Sequence, residues 1–106
     1  MVIMVKAKNI WSIYSKYDTL VKMLEREPEL LKIDKYKTLK EELEEQRRAV
    51  ELQLSLIKSK TGLNMFIDRF IRKVKIDMLE DKYLMSKSTL YRYLKAAKEE
   101  FEQEIF

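Results

Sequence analysis

Apolar positions along the chain fall into runs with helical spacing, separated by very few breaks. Ile10, Ile13, Tyr14, Tyr17, Leu20, Val21 and Leu24 recur every three or four residues, which predicts a first helix over about residues 8–26. Asn9 or Ser12 stands where a cap belongs. Glu27-Pro28 ends the helix, because a proline ring disfavours helical geometry in the residue before it. Trp11 and Met23 lie off the stripe, which leaves open a contact surface or a wider buried face.

After the connection EPELLKID, with Asp34 as a candidate cap, Tyr36, Leu39, Leu43, Gln46, Val50, Gln53 and Ile57 keep a strict 3-4 spacing, and Leu54 widens the stripe. This is coiled-coil spacing. It fits an antiparallel hairpin with the first helix, or a dimer seam in which Gln46 and Gln53 set the register. Lys58 and Lys60 suit a helix C-terminus, and Gly62 suits a left-handed cap. Gly62 therefore divides residues 1–62, a helical hairpin for dimerisation or partner contact, from residues 63–106. In the second part Asn64 is a candidate cap for a third helix with Phe66, Ile67, Phe70, Ile71 and Val74 as its apolar face.

The most informative stretch is MSKSTLYRYLKAAKEEF, residues 85–101. Ser86 caps a predicted helix in which Leu90, Leu94, Ala97 and Phe101 form a packing stripe. Lys87, Ser88, Thr89, Tyr91, Arg92 and Lys95 lie off that stripe. Short donors at a helix N-terminus suit base edges in a major groove, and longer cations behind them suit the backbone. Upstream, Ile76, Leu79, Tyr83 and Met85 are spaced as in the first helix and turn of a helix-turn-helix.

Roughly residues 66 to 101, about a third of the chain, resemble the C-terminal helix-turn-helix of sigma-factor region 4 and of RinA/ArpU-type phage late-gene regulators. The sequence departs from that pattern at Glu80, where the family usually has a small residue, and at Leu84, where it usually has a turn glycine. The resemblance implies a transcriptional regulator of phage or mobile-element type that contacts RNA polymerase or another regulatory protein.

Composition narrows the alternatives. The chain has 106 residues, 46% hydrophobic and 38% charged, with one glycine and one proline, which points to a single small all-α chain of long helices. It has no cysteine and no histidine. Disulfides, zinc-thiolate sites, imidazole bases and Ser-His or Cys-His nucleophiles are thereby excluded. No window approaches a membrane span and the five-residue apolar run at the N-terminus lacks a cleavage site, so a cytoplasmic protein is expected. Acidic clusters at Glu41, Glu42, Glu44 and Glu45, and at Glu99, Glu100, Glu102 and Glu104, read as solvated helix faces, since no apolar surroundings perturb them. No catalytic motif or cofactor loop is present.

The formal charge is +4, and its excess is densest over residues 64–95, with eight basic against four acidic side chains. Arg69, Arg72, Lys73 and Lys75 form a basic run that suits flanking phosphates or simply keeps the third helix solvated. The combined reading is a DNA-binding regulator acting as a homodimer on double-stranded DNA. Ser86 caps and meets phosphate, Lys87, Ser88, Thr89 and Tyr91 meet bases or backbone, and Arg92 and Lys95 clamp phosphate, with Arg72, Lys73 and Lys75 flanking. Two other readings share these features: a module that sequesters a regulatory protein through its hairpin, and a packaging or assembly subunit.

Overall fold

A computed structural model describes residues 4–103. Glu104 of the second acidic cluster and the first three residues of the N-terminal apolar run lie outside them. The described chain is all-helical: α1 (Ile10–Arg26), α2 (Asp34–Leu54), α3 (Lys60–Phe66), α4 (Ile76–Tyr83) and α5 (Lys87–Phe101). Short 3-10 turns cover Ala7–Asn9 and Pro28–Lys32, and α3 continues into a π-helical turn at Ile67–Ile71. No described helix is long and apolar enough to cross a membrane.

α1 and α2 run antiparallel. Ile10 and Ile13 share a cluster with Val50 near the end of α2, whereas Leu20 and Leu24 meet Leu43 nearer its start. The Tyr36–Ile57 seam is largely covered inside the chain. Leu43, Val50, Gln53 and Ile57 are buried, Tyr36 and Gln46 half-buried, and Leu39 exposed. Arg47 stacks its guanidinium carbon 4.7 Å from the Tyr14 ring centre and 4.4 Å from that of Tyr17, a cation–π arrangement across the pair.

Gln53 does more than interrupt the seam. It is 1% exposed; its Oε1 accepts from Val5 N–H at 2.7 Å, and its Nε2 donates to Val5 O and Phe101 O, each at 2.9 Å. One side chain thus satisfies backbone groups from both ends of the described chain, groups that are costly to leave unpaired in a core. The surrounding cluster joins Val5, Ala7, Ile10 and Ile13 to Phe66, Ala97 and Phe101, so apolar packing is continuous across residue 62. A second cluster of Met65, Leu79, Leu90 and Leu94 fastens α3, α4 and α5 together.

Several local expectations are corrected. Helix α1 begins after a 3-10 turn, and neither proposed cap bonds it: Asn9, at the N-cap position, makes no side-chain cap bond because its backbone already continues the preceding helical turn. Asp34 is the first helical residue and not the cap; extended Ile33 precedes it. α2 stops at Leu54, short of Ile57. Gly62 is not a left-handed cap but lies inside α3, where its N–H donates to the capping Ser59 Oγ at 3.0 Å. Asn64 consequently lies inside α3 and does not cap it. What Gly62 supplies is closeness, since an added Cβ would sit 3.3 Å from Ser59 Cβ and 3.8 Å from Ala97 Cβ on α5. The third helix does not reach Val74 as a regular helix either. It widens into the π turn, and Lys73 turns left-handed at φ 57°.

Candidate nucleic-acid interface

The sequence builds α5 from its cap outward. Ser86 has extended backbone, φ −69° and ψ 160°, and its Oγ accepts from Thr89 N–H at 3.4 Å, satisfying one of the free donors at the helix start. Leu90, Leu94, Ala97 and Phe101 are all buried. At 100° per residue, Ser88, Arg92 and Lys95 project to the opposite side, Tyr91 lies about 90° round from the stripe, and all four are exposed. Lys87 and Thr89 occupy the two flanks between these faces.

Each flank is engaged. On one, the Lys87 ammonium sits 3.1 Å from Asp77 Oδ1 and 3.7 Å from Glu80 Oε1, both on α4. The hydrogen bond and charge of Asp77, followed by the charge of Glu80, raise the Lys87 pKa. On the other flank Thr89 is half-buried; its Oγ1 accepts from Ser86 Oγ at 3.1 Å and from Arg92 Nη2 at 3.4 Å. Ser59, Thr89, Arg92, Tyr93 and Ala96 line a mostly apolar hollow between the start of α3 and α5.

The two departures from the sequence pattern lie in the last turn of α4 and in the connection that follows it. Leu84 takes the left-handed geometry usually given to glycine, φ 53° and ψ 45°, while the backbone N–H groups of Leu84 and Met85 both donate to Glu80 O. The Leu84 side chain is 89% exposed, so little packing offsets the crowding of Cβ in this conformation. Glu80 is half-buried and is used: its carboxylate reaches Lys87, linking the helices where a small residue would let them approach.

The basic run is dispersed over different supports. Arg69 Nη1 donates to Val74 O at 3.1 Å, securing the turn after the π segment. Lys73 lies over the Trp11 ring, its ammonium 5.2 Å from the centre, which gives that exposed tryptophan an intramolecular role. Lys75 is exposed at the N-cap position of α4. Arg72 joins a group that sequence reasoning missed, centred on Asp68.

Asp68 is 1% exposed, yet it carries a charge. Its Oδ1 accepts from Arg72 Nη1 at 3.1 Å, and its Oδ2 accepts from Lys82 Nζ and Tyr83 Oη, each at 2.7 Å. Burial pushes its pKa up, but the hydrogen bonds from Lys82 and Tyr83 and the charges of Lys82 and Arg72 outweigh that and hold the carboxyl below its usual range. Burial, the Asp68 hydrogen bond and the Asp68 charge push the Tyr83 hydroxyl up to about 12. Buried charge is tolerated where it is paired and hydrogen-bonded, and here it ties the π turn to the C-terminal end of α4. The signal lay in FIDRFI, where one acid interrupts an apolar run.

Chemically, the α5 face offers hydroxyl, phenol, guanidinium and ammonium donors. Among the described residues no group of three or more acidic side chains is placed to hold a metal ion. No protein-family model matches this chain, and neither does any curated protein or solved structure.

Proposed function

We propose that this chain is a sequence-specific DNA-binding transcriptional regulator of phage or mobile-element type, in which α4, the Leu84 turn and α5 work as a helix-turn-helix. The observation that carries the reading is the two-sided character of α5. Its buried stripe fixes the helix against α3 and α4, while Ser88, Arg92 and Lys95 stand clear on the opposite face, with Tyr91 beside them, at the capped end. The sequence resemblance over residues 66–101 supports the same assignment. Arg92 and Lys95 hold phosphates; Ser88 and Tyr91 meet base edges or sugar; Thr89 orients Arg92 through its hydroxyl. Lys87 braces α5 on α4 and turns to phosphate only by exchanging Asp77 and Glu80 for it.

The test is titration of the purified chain with fluorescent mixed-sequence duplex across a salt series. Binding that weakens linearly in log–log form is expected. Arg92→Ala should lower affinity for every sequence and flatten the slope by up to about one unit, because one lost phosphate contact releases about one counterion fewer. Thr89→Ala, which frees Arg92 from its hydroxyl, should lower affinity for every sequence by a smaller factor than Arg92→Ala while melting like the parent. Absence of parent binding at low salt, or both variants binding as the parent does, rejects the proposal.

A further inference from the structure

One face of the α1–α2 pair is an open groove. Two adjoining hollows run along it, from Val5 and Asn9 at one end to Met23 at the other, and Lys16, Leu39 and Leu43 line both. Ile13, Leu20 and Leu43 form the apolar floor. Leu39, one of the large exposed hydrophobic residues, stands on the rim at 38% exposure. On the α1 wall, Asn9, Ser12, Ser15 and Thr19 are short, so a helix laid along the groove can approach closely.

The walls carry opposite charge. Lys6 and Lys16 lie on the α1 side and Glu42 on the α2 side, all three exposed. None takes part in an ion pair among the described residues, whose pairs are Lys40–Glu44, Arg72–Asp68, Lys82–Asp68, Lys87–Asp77 and Lys87–Glu80. A two-fold axis running along the groove would lay α1 of one copy over α2 of the other, at the same level. Each cationic wall then meets an acidic wall, twice over. Such self-complementarity is what an isologous contact requires.

We propose that this groove is the contact between two copies of the chain, which together form a four-helix layer closed by reciprocal Lys16–Glu42 pairs across the axis. Of the Tyr36–Ile57 seam, Leu39, Leu43 and Gln46 line this contact, while Val50, Gln53 and Ile57 are buried within each copy. By helix dimensions the face measures roughly 25 by 20 Å, or about 1,000 Å² for both copies, the lower end of specific interfaces. Area does not fix affinity; a contact this small, with one reciprocal ion pair, is expected at the weak, micromolar end of the range. The proposal rests on the α1–α2 pair alone and is independent of the DNA reading.

Sedimentation equilibrium without DNA tests it. The parent chain should be dimeric at about 100 μM, well above a micromolar dissociation constant. Lys16→Glu and Glu42→Lys should each weaken association by about fivefold or more, because each sets like charges opposite one another at two places. Both variants should melt as the parent monomer does. Mixing the two variants should restore association, since every contact in the mixed dimer is again between opposite charges. Restoration in a Lys16→Glu, Glu42→Lys double variant but not in the mixture would mean pairing within one chain and would overturn the proposal. So would a parent that stays monomeric, association insensitive to either reversal, or growth without limit beyond the dimer.

Discussion

The far end of the α1–α2 pair and the neighbourhood of α4 are held by different means. At the first, Leu20, Leu24 and Leu43 pack with Tyr17, Met23, Leu30 and Tyr36. Long helices supply enough repeated apolar contact there that no buried charge is needed. At the second, α4 has only eight residues and a single fully buried side chain, Leu79. A helix that short is marginal in isolation, so its position depends on Asp68 with Arg72, Lys82 and Tyr83, and on the left-handed Leu84 that turns the chain into α5. Apolar area alone holds one region; in the other, a few directional bonds supplement the cluster around Leu79. The molecule is also extended, 50 by 34 by 17 Å with a radius of gyration of 16.2 Å against about 13 Å for a compact chain of this length, so each region must be stable with few neighbours.

The largest perturbation should be one that severs the join between the regions. Gln53→Leu keeps the volume but strips Val5 N–H, Val5 O and Phe101 O of their partners; a loss of about 3 kcal/mol is expected in chemical denaturation. Survival of both regions at parental stability would show that the join is dispensable.

Asp68→Ala separates the regions by a smaller amount. It should cost about 2–3 kcal/mol, less than for a fully enclosed pair, because the side chains of Arg72 and Lys82 are 65% and 52% exposed and regain water. The same carboxylate makes α4 acid-sensitive. Its folded pKa is depressed, so its contribution is present above the ordinary carboxyl range near pH ~4 and is lost as pH falls through the lower folded value. Tyr83 acts at the other extreme. Its pKa is raised, so its contribution is intact below pH ~10 and disappears as pH rises through about 12. Hydrogen exchange in acid should therefore release α4 and the π turn before the Leu20–Leu24–Leu43 end. Simultaneous release would erase the distinction.

The smallest effect should have the opposite sign. Leu84→Gly relieves a left-handed side chain that is almost wholly in solvent, against a larger loss of chain entropy on folding; a net gain of about 0.5–1 kcal/mol is expected in thermal melts. Destabilisation would show that the leucine makes a contact worth more than its strain.

How well each region could be read from the sequence follows the same division. Ile10 to Leu24 and Leu43 to Val50 announce α1 and α2 because a regular apolar stripe is a local property, and Pro28 marks the break between them. Ser86, Leu90 and Leu94 likewise announce α5 and its exposed face. Gly62 misled because conformational freedom and smallness are both reasons to place a glycine, and only the approach of Ala97 shows which one applies. Asp68 was hidden because its partners Lys82 and Tyr83 lie fourteen and fifteen residues away, in a segment whose spacing marks Tyr83 as an apolar packing position of a helix-turn-helix and says nothing of its hydroxyl. Gln53 was visible as an anomaly in the seam, but its partners are backbone atoms, which carry no residue identity.

The Gln53 clamp also sets a timetable. During synthesis α1 and α2 emerge first and can pair at their far end, yet the amide that fastens Val5 stays half-employed until Phe101 arrives. A nascent chain lacking α5 therefore leaves Val50, Ile57 and Phe66 of the shared cluster without Phe101, as bare apolar surface. Closure of this core waits on the last turn of α5, and chains that have not yet made that turn should be the species that chaperones engage and proteases cut.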